Sequence, residues 1–245
     1  MYITDDGIKL HVELEKPDNA PSKMPLVIVI HGFTGHMEED HIVAAAKACR
    51  DMGYATLRVD MYGHGKSEGE FKDHNLFKWM NNAMTVIDYA RGLDFVTDIY
   101  LCGHSQGGLM VMMAGGLKRE YIKGLIELAP AAMIPDLARQ GNLLGLEYDA
   151  DNIPEELVFW DGKRLDGNYA RVAKYVHIED GIDNFDGPVL IVQGTNDYPE
   201  LMEAARYASG RYKDSTFVEI EGSDHCYNGY IHEMEEAIKN WLPKV

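Results

Sequence analysis

Cysteine is scarce in this chain of 245 residues: Cys49, Cys102 and Cys226 are all there is. An odd, irregularly spaced set is no disulfide framework and lacks the paired spacing of a zinc site. It suits a reducing compartment, so a cytoplasmic protein is expected. Long apolar runs are missing too. No stretch approaches the roughly 18 apolar residues of a membrane span. The opening "MYITDDGIKL" has no basic segment followed by an apolar one, so no signal peptide is expected. Positive charge is in short supply, with 23 Lys and Arg against 40 Asp and Glu and a formal charge of −17. Nucleic acids and anionic membranes attract clustered Lys and Arg, so neither is expected as a partner. The histidines show no ligand spacing, and no metal or other cofactor is expected. Repeats and low-complexity tracts are absent.

What is present can bury a large core without staples. Apolar patterns alternate between strand and helix. "IKLHVELEK" alternates apolar and polar residues, as a half-buried edge strand does. "PLVIVIHG" is a continuous apolar run, as in a central strand buried on both faces. Further strands are read at "YATLRVD", "DIYLCGH", "KGLIELAP", "GPVLIVQG" and "TFVEIEG", with helical spacing between them. That order predicts a mostly parallel sheet with helices on both faces. Residues 131–186 interrupt it. They are too many for a plain loop and carry Tyr148, Phe159, Trp160, Tyr169 and Tyr175. They are expected to form an inserted cap, with 1–130 and 187–245 as the core.

G-x-S-x-G occurs twice, as "GKSEG" around Ser67 and "GHSQG" around Ser105. Ser67 lies in a charged, Gly-rich stretch with the chemistry of a loop. Ser105 follows an apolar strand and precedes a helix of small residues, the context that a nucleophile elbow requires. A serine hydroxyl needs a general base, and the base needs an orienting carboxylate. Of the histidines after Ser105, His177 falls in the insertion and His232 in the last helix. His225 stands just past a strand end, where a base can reach over the sheet. Asp197 opens the turn after "VLIVQG" and is preferred as the acid; it would also serve as a helix N-cap. The rival is Asp224, whose adjacency to His225 makes mutual orientation difficult. Asp183 and Asp186 precede the strand. For a developing oxyanion, the expected donors are the backbone N–H groups of Gln106 and of Phe33 in "HGFTGH".

Taken together, "HGFTGH", "DMYGHGKS", "GHSQGG", "GTNDYP" and "GSDHCY" resemble the α/β-hydrolases over nearly the whole chain, in the family's order. More narrowly, the chain resembles the gut-bacterial feruloyl (cinnamoyl) esterases. The resemblance implies an α/β-hydrolase fold with a mostly parallel sheet of the eight-stranded type and a cap after the sixth strand. It implies a Ser105, His225, Asp197 triad and an oxyanion hole from the Phe33 and Gln106 backbones. It also implies a small-molecule aromatic ester substrate, with hydroxycinnamic acids released from plant cell-wall sugar esters. For the acyl ring, Trp160 is a candidate wall. Asp136, Gln140 and Tyr169 are candidate partners of the ring hydroxyl. A monoacylglycerol-type lipase or generic carboxylesterase is the alternative enzyme, since a cap in this position also serves acyl chains. A non-catalytic ligand receptor on the same fold would need no intact triad. A homodimer is left open.

Overall fold

The computed structural model describes residues 1–243; residues 244 and 245, at the end of the expected core segment 187–245, lie outside the described residues. In chain order the strands of the main sheet are β1 (Tyr2–Asp5), β2 (Ile8–Glu15), β3 (Met24–Ile30), β4 (Ala55–Val59), β5 (Val96–His104) and β6 (Ile122–Leu128). Residues 131–186 hold the short strands β7 (Asn142–Leu143), β8 (Leu146–Glu147), β9 (Glu156–Val158) and β10 (Arg164–Asp166), and after them come β11 (Val189–Gly194) and β12 (Ser215–Ile220). The sheet order is β1-β2-β4-β3-β5-β6-β11-β12. It is parallel from β4 to β12, and β1–β2 and β2–β4 are antiparallel. This is the α/β-hydrolase fold expected of the sequence.

All seven residues of β3 are buried, and the pleat divides them between two cores. Leu26, Ile28 and Ile30 point to one face, Val27 and Val29 to the other. On the second face lie α1 (Asp40–Asp51) and α8 (Ile231–Trp241), which bury Ile42, Ala45 and Cys49 and Met234 and Ile238 respectively. The first face is covered by α2 (Leu76–Arg91), α3 (Gln106–Leu117) and α7 (Pro199–Arg211). α3 is buried nearly all round, as its continuous apolar run requires.

One strand was not legible. β2 reads as an edge strand, but β1 pairs with it and takes the edge. The cause is Asp6-Gly7, both with positive φ (46° and 81°), the conformation that closes a tight two-residue hairpin. With β1 counted, the insertion does follow the sixth strand.

Residues 131–186 contain α4 (Ile134–Arg139), the hairpin β7 (Asn142–Leu143) with β8 (Leu146–Glu147), the hairpin β9 (Glu156–Val158) with β10 (Arg164–Asp166), α5 (Asn168–Ala173) and α6 (Ile178–Ile182). Their strands pair only with each other and do not join the main sheet. α6 packs directly on α3: a Cβ at Gly181 would meet the Met112 backbone, and one at Gly116 the Gly181 carbonyl. No helix among the described residues is long and apolar enough to cross a membrane.

Candidate active site

Every chemically notable loop leaves the same edge of the sheet. β3, β5, β6, β11 and β12 are parallel neighbours or near neighbours, in a register that aligns Ile30 with Gly103, His104 with Leu128, and Gly194 with Ile220. Their carboxyl ends therefore lie together, the place where open α/β sheets bind ligands.

Ser105 sits between β5 and α3 with φ 56° and ψ −120°. A residue with a side chain pays for such a conformation, and the surroundings must hold it there. Here the Ser105 N–H donates to the Leu128 carbonyl, and the Ser105 carbonyl accepts from Leu109 and Ala131. The turn also needs its glycines. A Cβ at Gly103 would collide with the Gly107 carbonyl, and one at Gly107 with the carbonyls of Ile30 and His31. Ser67 is placed differently. Its hydroxyl donates to the Asp60 carbonyl at 2.5 Å and accepts from the His11 N–H at 2.7 Å, so it ties a loop to β2.

The structure brings Ser105, His225 and Asp197 together. His225 Nε2 is 3.0 Å from Ser105 Oγ, and His225 Nδ1 is 2.8 Å from Asp197 Oδ2. The Asp197 side chain is fully buried while the imidazole keeps 26% exposure. A carboxylate accepts only, so Nδ1 carries the proton and Nε2 is free to accept one from the serine. Asp197 Oδ1 accepts from the Tyr198 N–H at 2.8 Å, and Oδ2 also accepts from Gln193 Nε2 at 2.8 Å. Asp224 is committed elsewhere, capping the N–H groups of Cys226 and Asn228 and the Asn228 side chain. Asp183 and Asp186 pair with Arg211 and Lys213 at the surface, and His177 and His232 are exposed.

The loop after β3 passes over the serine, since a Cβ at Gly32 would lie 3.2 Å from Ser105 Cβ. Phe33, the next residue, forms part of the same cavity wall. Gln106 is the first residue of α3, and a first-turn N–H has no partner within its own helix. Buried histidines shape this loop, which sequence reasoning missed. His31 Nε2 accepts from the Met61 N–H at 3.0 Å, which leaves Nδ1–H to donate to the Gly32 carbonyl at 2.8 Å. That carbonyl belongs to the peptide whose N–H is that of Phe33. Burial first, then nearby His64, holds His31 down to about 3, so the ring is neutral and its tautomer fixed. The available signal was the His that opens "HGFTGH", a segment read only for the Phe33 donor and the family resemblance.

A cavity of about 620 Å³ opens above Ser105 and His225. Phe33, Met133, Leu137, Leu144 and Phe159 give it apolar walls. Trp160 lines its rim, 78% exposed and edge-on to Phe159. The expected ring-hydroxyl partners lie outside this lining. Asp136 pairs with Arg139 and keeps 65% of its side chain exposed. Gln140 is exposed at the end of α4. Tyr169 is fully buried, and its hydroxyl donates to Gln106 Oε1 at 2.5 Å. It braces the residue after Ser105 from beneath, and its ring meets Phe33 edge-on. Polar residues that do line the cavity include Glu39, Asn142, Asp161, Lys163 and Glu200, none of which the sequence marked.

Set beside known proteins, residues 21–175 match the model of the family described as serine aminopeptidase, S33. Est1E from Butyrivibrio proteoclasticus, solved with ferulic acid bound, superposes with a TM-score of 0.96 at 55% identity, over 98% of this chain and 97% of that one. The mitochondrial palmitoyl-protein thioesterase ABHD10 of Homo sapiens is 32% identical over 111 residues, 45% of this chain. The matched stretch spans only 35% of that relative's length. Alpha/beta hydrolase domain-containing protein 10 from mouse shares the fold, with a TM-score of 0.79 at 21% identity over 98% of this chain and 96% of that one.

Proposed function

The chain belongs to the α/β-hydrolase family described as serine aminopeptidase, S33, and from that premise we propose that it is a serine carboxylesterase that releases hydroxycinnamic acids, ferulic acid among them, from their esters. The observation that carries this reading is the site itself: a serine in a strained turn, 3.0 Å from an imidazole that a buried carboxylate orients, beneath a cavity with aromatic walls. The 55% identity to a protein solved with ferulic acid bound supports the substrate class.

In this reading Ser105 Oγ attacks the ester carbonyl as His225 Nε2 takes its proton. Asp197 keeps the proton on Nδ1 and stabilises the imidazolium that forms. The N–H groups of Phe33 and Gln106 receive the oxyanion, and a preorganised donor of this kind is worth about 2.7–4 kcal/mol. The imidazolium then protonates the departing alcohol, leaving an acyl group on Ser105. Water, deprotonated by His225, attacks that acyl carbonyl; the acid leaves and Ser105 regains its proton. The hydroxycinnamoyl ring lies between Phe33, Phe159 and Trp160. Residues 131–186 act as a cap that sets acyl preference over a core of 1–130 and 187–245. The esters are those of plant cell-wall sugars. A charge of −17 supports a protein without nucleic-acid or membrane partners, and three irregularly spaced cysteines support a reducing, cytoplasmic setting.

The test is release of ferulic acid from methyl ferulate by the wild type and by Ser105→Ala. Wild-type turnover with none in the variant is expected. Absence of turnover in the wild type would refute the substrate class.

A further inference from the structure

Two buried histidines have no part in the mechanism above, and one of them, His104, also borders the cavity beside Ser105. His104, between Gly103 and Ser105, is 3% exposed, and His41, in the first turn of α1, is 4% exposed. His104 Nε2 lies 2.8 Å from the carbonyl oxygen of His225. A carbonyl only accepts, so the His104 proton is on Nε2. Nδ1 of the neutral ring then bears a lone pair, and His41 Nε2, 3.1 Å away, must donate to it. Donors thus run from His41 to His104 to the His225 backbone, and each bond fixes the tautomer of the next ring. The two rings meet edge-on with centroids 4.3 Å apart. The loop after β3 packs on the same ring, a Cβ at Gly32 falling 3.2 Å from His104 Nδ1. Burial, with His225 and His41 nearby, holds His104 well below the ordinary histidine range. Burial first, then His225, brings His41 down to about 4. The other ionisable groups around the pair are Glu39, 4.0 Å from His41 Nε2, with Asp40, Asp224 and His31.

The loop that carries His225 joins β12 to α8 and includes Gly222 and Gly229, both with positive φ. His104 adjoins Ser105 in sequence and bonds to the backbone of His225. One side chain therefore connects the turn that holds the serine to the loop that holds the imidazole. We infer that His104 and His41 are positioning residues for the base: His104 is a strut that sets the separation of Ser105 and His225, and His41 fixes the tautomer in which the strut can donate. This rests on the roles proposed above for those two residues. A displacement on the order of 1 Å at a reacting pair costs up to about 100-fold in rate, so the strut acts on kcat and leaves acyl binding alone.

The experiment measures p-nitrophenyl acetate hydrolysis by the wild type and by His104→Phe, His104→Gln, His41→Phe and Ser105→Ala, with thermal melts to confirm folding. His104→Phe keeps the ring and removes both bonds; kcat should fall roughly 10- to 100-fold with KM within about twofold. His104→Gln can donate to the His225 carbonyl and accept from His41, and should recover kcat to within about fivefold of wild type. His41→Phe should lose roughly 3- to 10-fold in kcat. A purely structural role would lower the melting temperature without this split between kcat and KM, and without rescue by glutamine. Wild-type kcat in a folded His104→Phe, beside an inactive Ser105→Ala, overturns the strut alone; an active Ser105→Ala overturns the strut and the nucleophile together. If His104→Phe does not fold, His41→Phe decides: reduced kcat supports the inference, and wild-type kcat overturns it.

Discussion

Gln193 Nε2 donates to Asp197 Oδ2 at 2.8 Å, the same oxygen that accepts the His225 Nδ1–H at the same distance. The carboxylate is thus held by a side-chain amide on β11 as well as by the Tyr198 N–H. Its orientation therefore rests on more than the imidazole. Removing the amide should loosen that hold. A hydrogen bond to a charged group is worth about 1.5–3 kcal/mol, so Gln193→Leu should cost roughly 10-fold or more in kcat, with little change in KM. Steady-state kinetics on p-nitrophenyl acetate checks this.

The choice of acid is tested by a pair of variants. Asp197→Asn leaves the imidazole in the wrong tautomer and should cost on the order of 10³ to 10⁴ in kcat. Asp224→Asn disturbs only caps on the His225 loop and should cost far less. The reverse ranking would make Asp224 the acid.

Ser105→Ala should lower kcat by roughly 10⁴ to 10⁶ without unfolding the chain. Ser67→Ala removes bonds to Asp60 and His11 and should lower stability by about 1 kcal/mol while sparing turnover. Rates and urea melts of both variants separate the two copies of G-x-S-x-G.

Trp160→Ala should weaken aromatic esters and spare acetate. Apolar surface leaves water at about 25 cal/mol per Å², and losing part of one ring wall is worth about 1–2 kcal/mol. That corresponds to a roughly 5- to 30-fold drop in kcat/KM for methyl ferulate. Equal losses on ferulate, cinnamate and p-nitrophenyl acetate would show that the indole only supports the cap.

Stability should peak near pH 6–7. Burial is the largest cause of lowered values at His31 and His74 (about 3), at His41 (about 4), and at His64 and His104. These rings stay neutral in the fold and take up protons once unfolded. Their contribution is fully present above about 6.5 and is lost as pH falls, by up to about 1.4 kcal/mol per pH unit for each group. Glu127 has the opposite effect. Burial raises its carboxyl from 4.5 to about 8, only partly offset by the Tyr212 hydroxyl that donates to it at 2.6 Å. The fold keeps Glu127 protonated where the unfolded chain would release the proton, so stability falls as pH rises from about 4.5 through about 8. Glu127→Gln should flatten that alkaline limb and steepen the acid limb below about pH 6.5, where the Glu127 slope had opposed the histidine losses, as urea denaturation from pH 5 to 9 would show. An unchanged alkaline limb would mean that Glu127 does not cause it.

The sheet was legible because its strands are unusually apolar: β3 and β11 are continuous runs that only a doubly covered strand allows. Ser105, His225 and Asp197 could be picked out because each follows a strand end, and the register of a parallel sheet brings those ends together. β1 escaped notice because four residues are too few for a pattern, and Asp6-Gly7 was its one signal. Residues 131–186 stood out because they break the strand–helix alternation, but their interior was not legible. Whether Tyr169 faces the cavity or Gln106 depends on the packing of α5, which short helices and two-residue strands do not announce. The supporting histidines His31, His41 and His104 were hidden for a related reason. A buried histidine has the same letter as a solvated one, and only its partners across the sheet reveal what it holds.

The most direct test of the central claim is a set of kcat/KM values for methyl ferulate, methyl cinnamate and methyl esters of butyrate and longer fatty acids, which share one leaving group. Preference for methyl ferulate over every aliphatic ester is the expected result. Preference for butyrate or longer chains would contradict the hydroxycinnamoyl assignment and make the enzyme a lipase or general carboxylesterase.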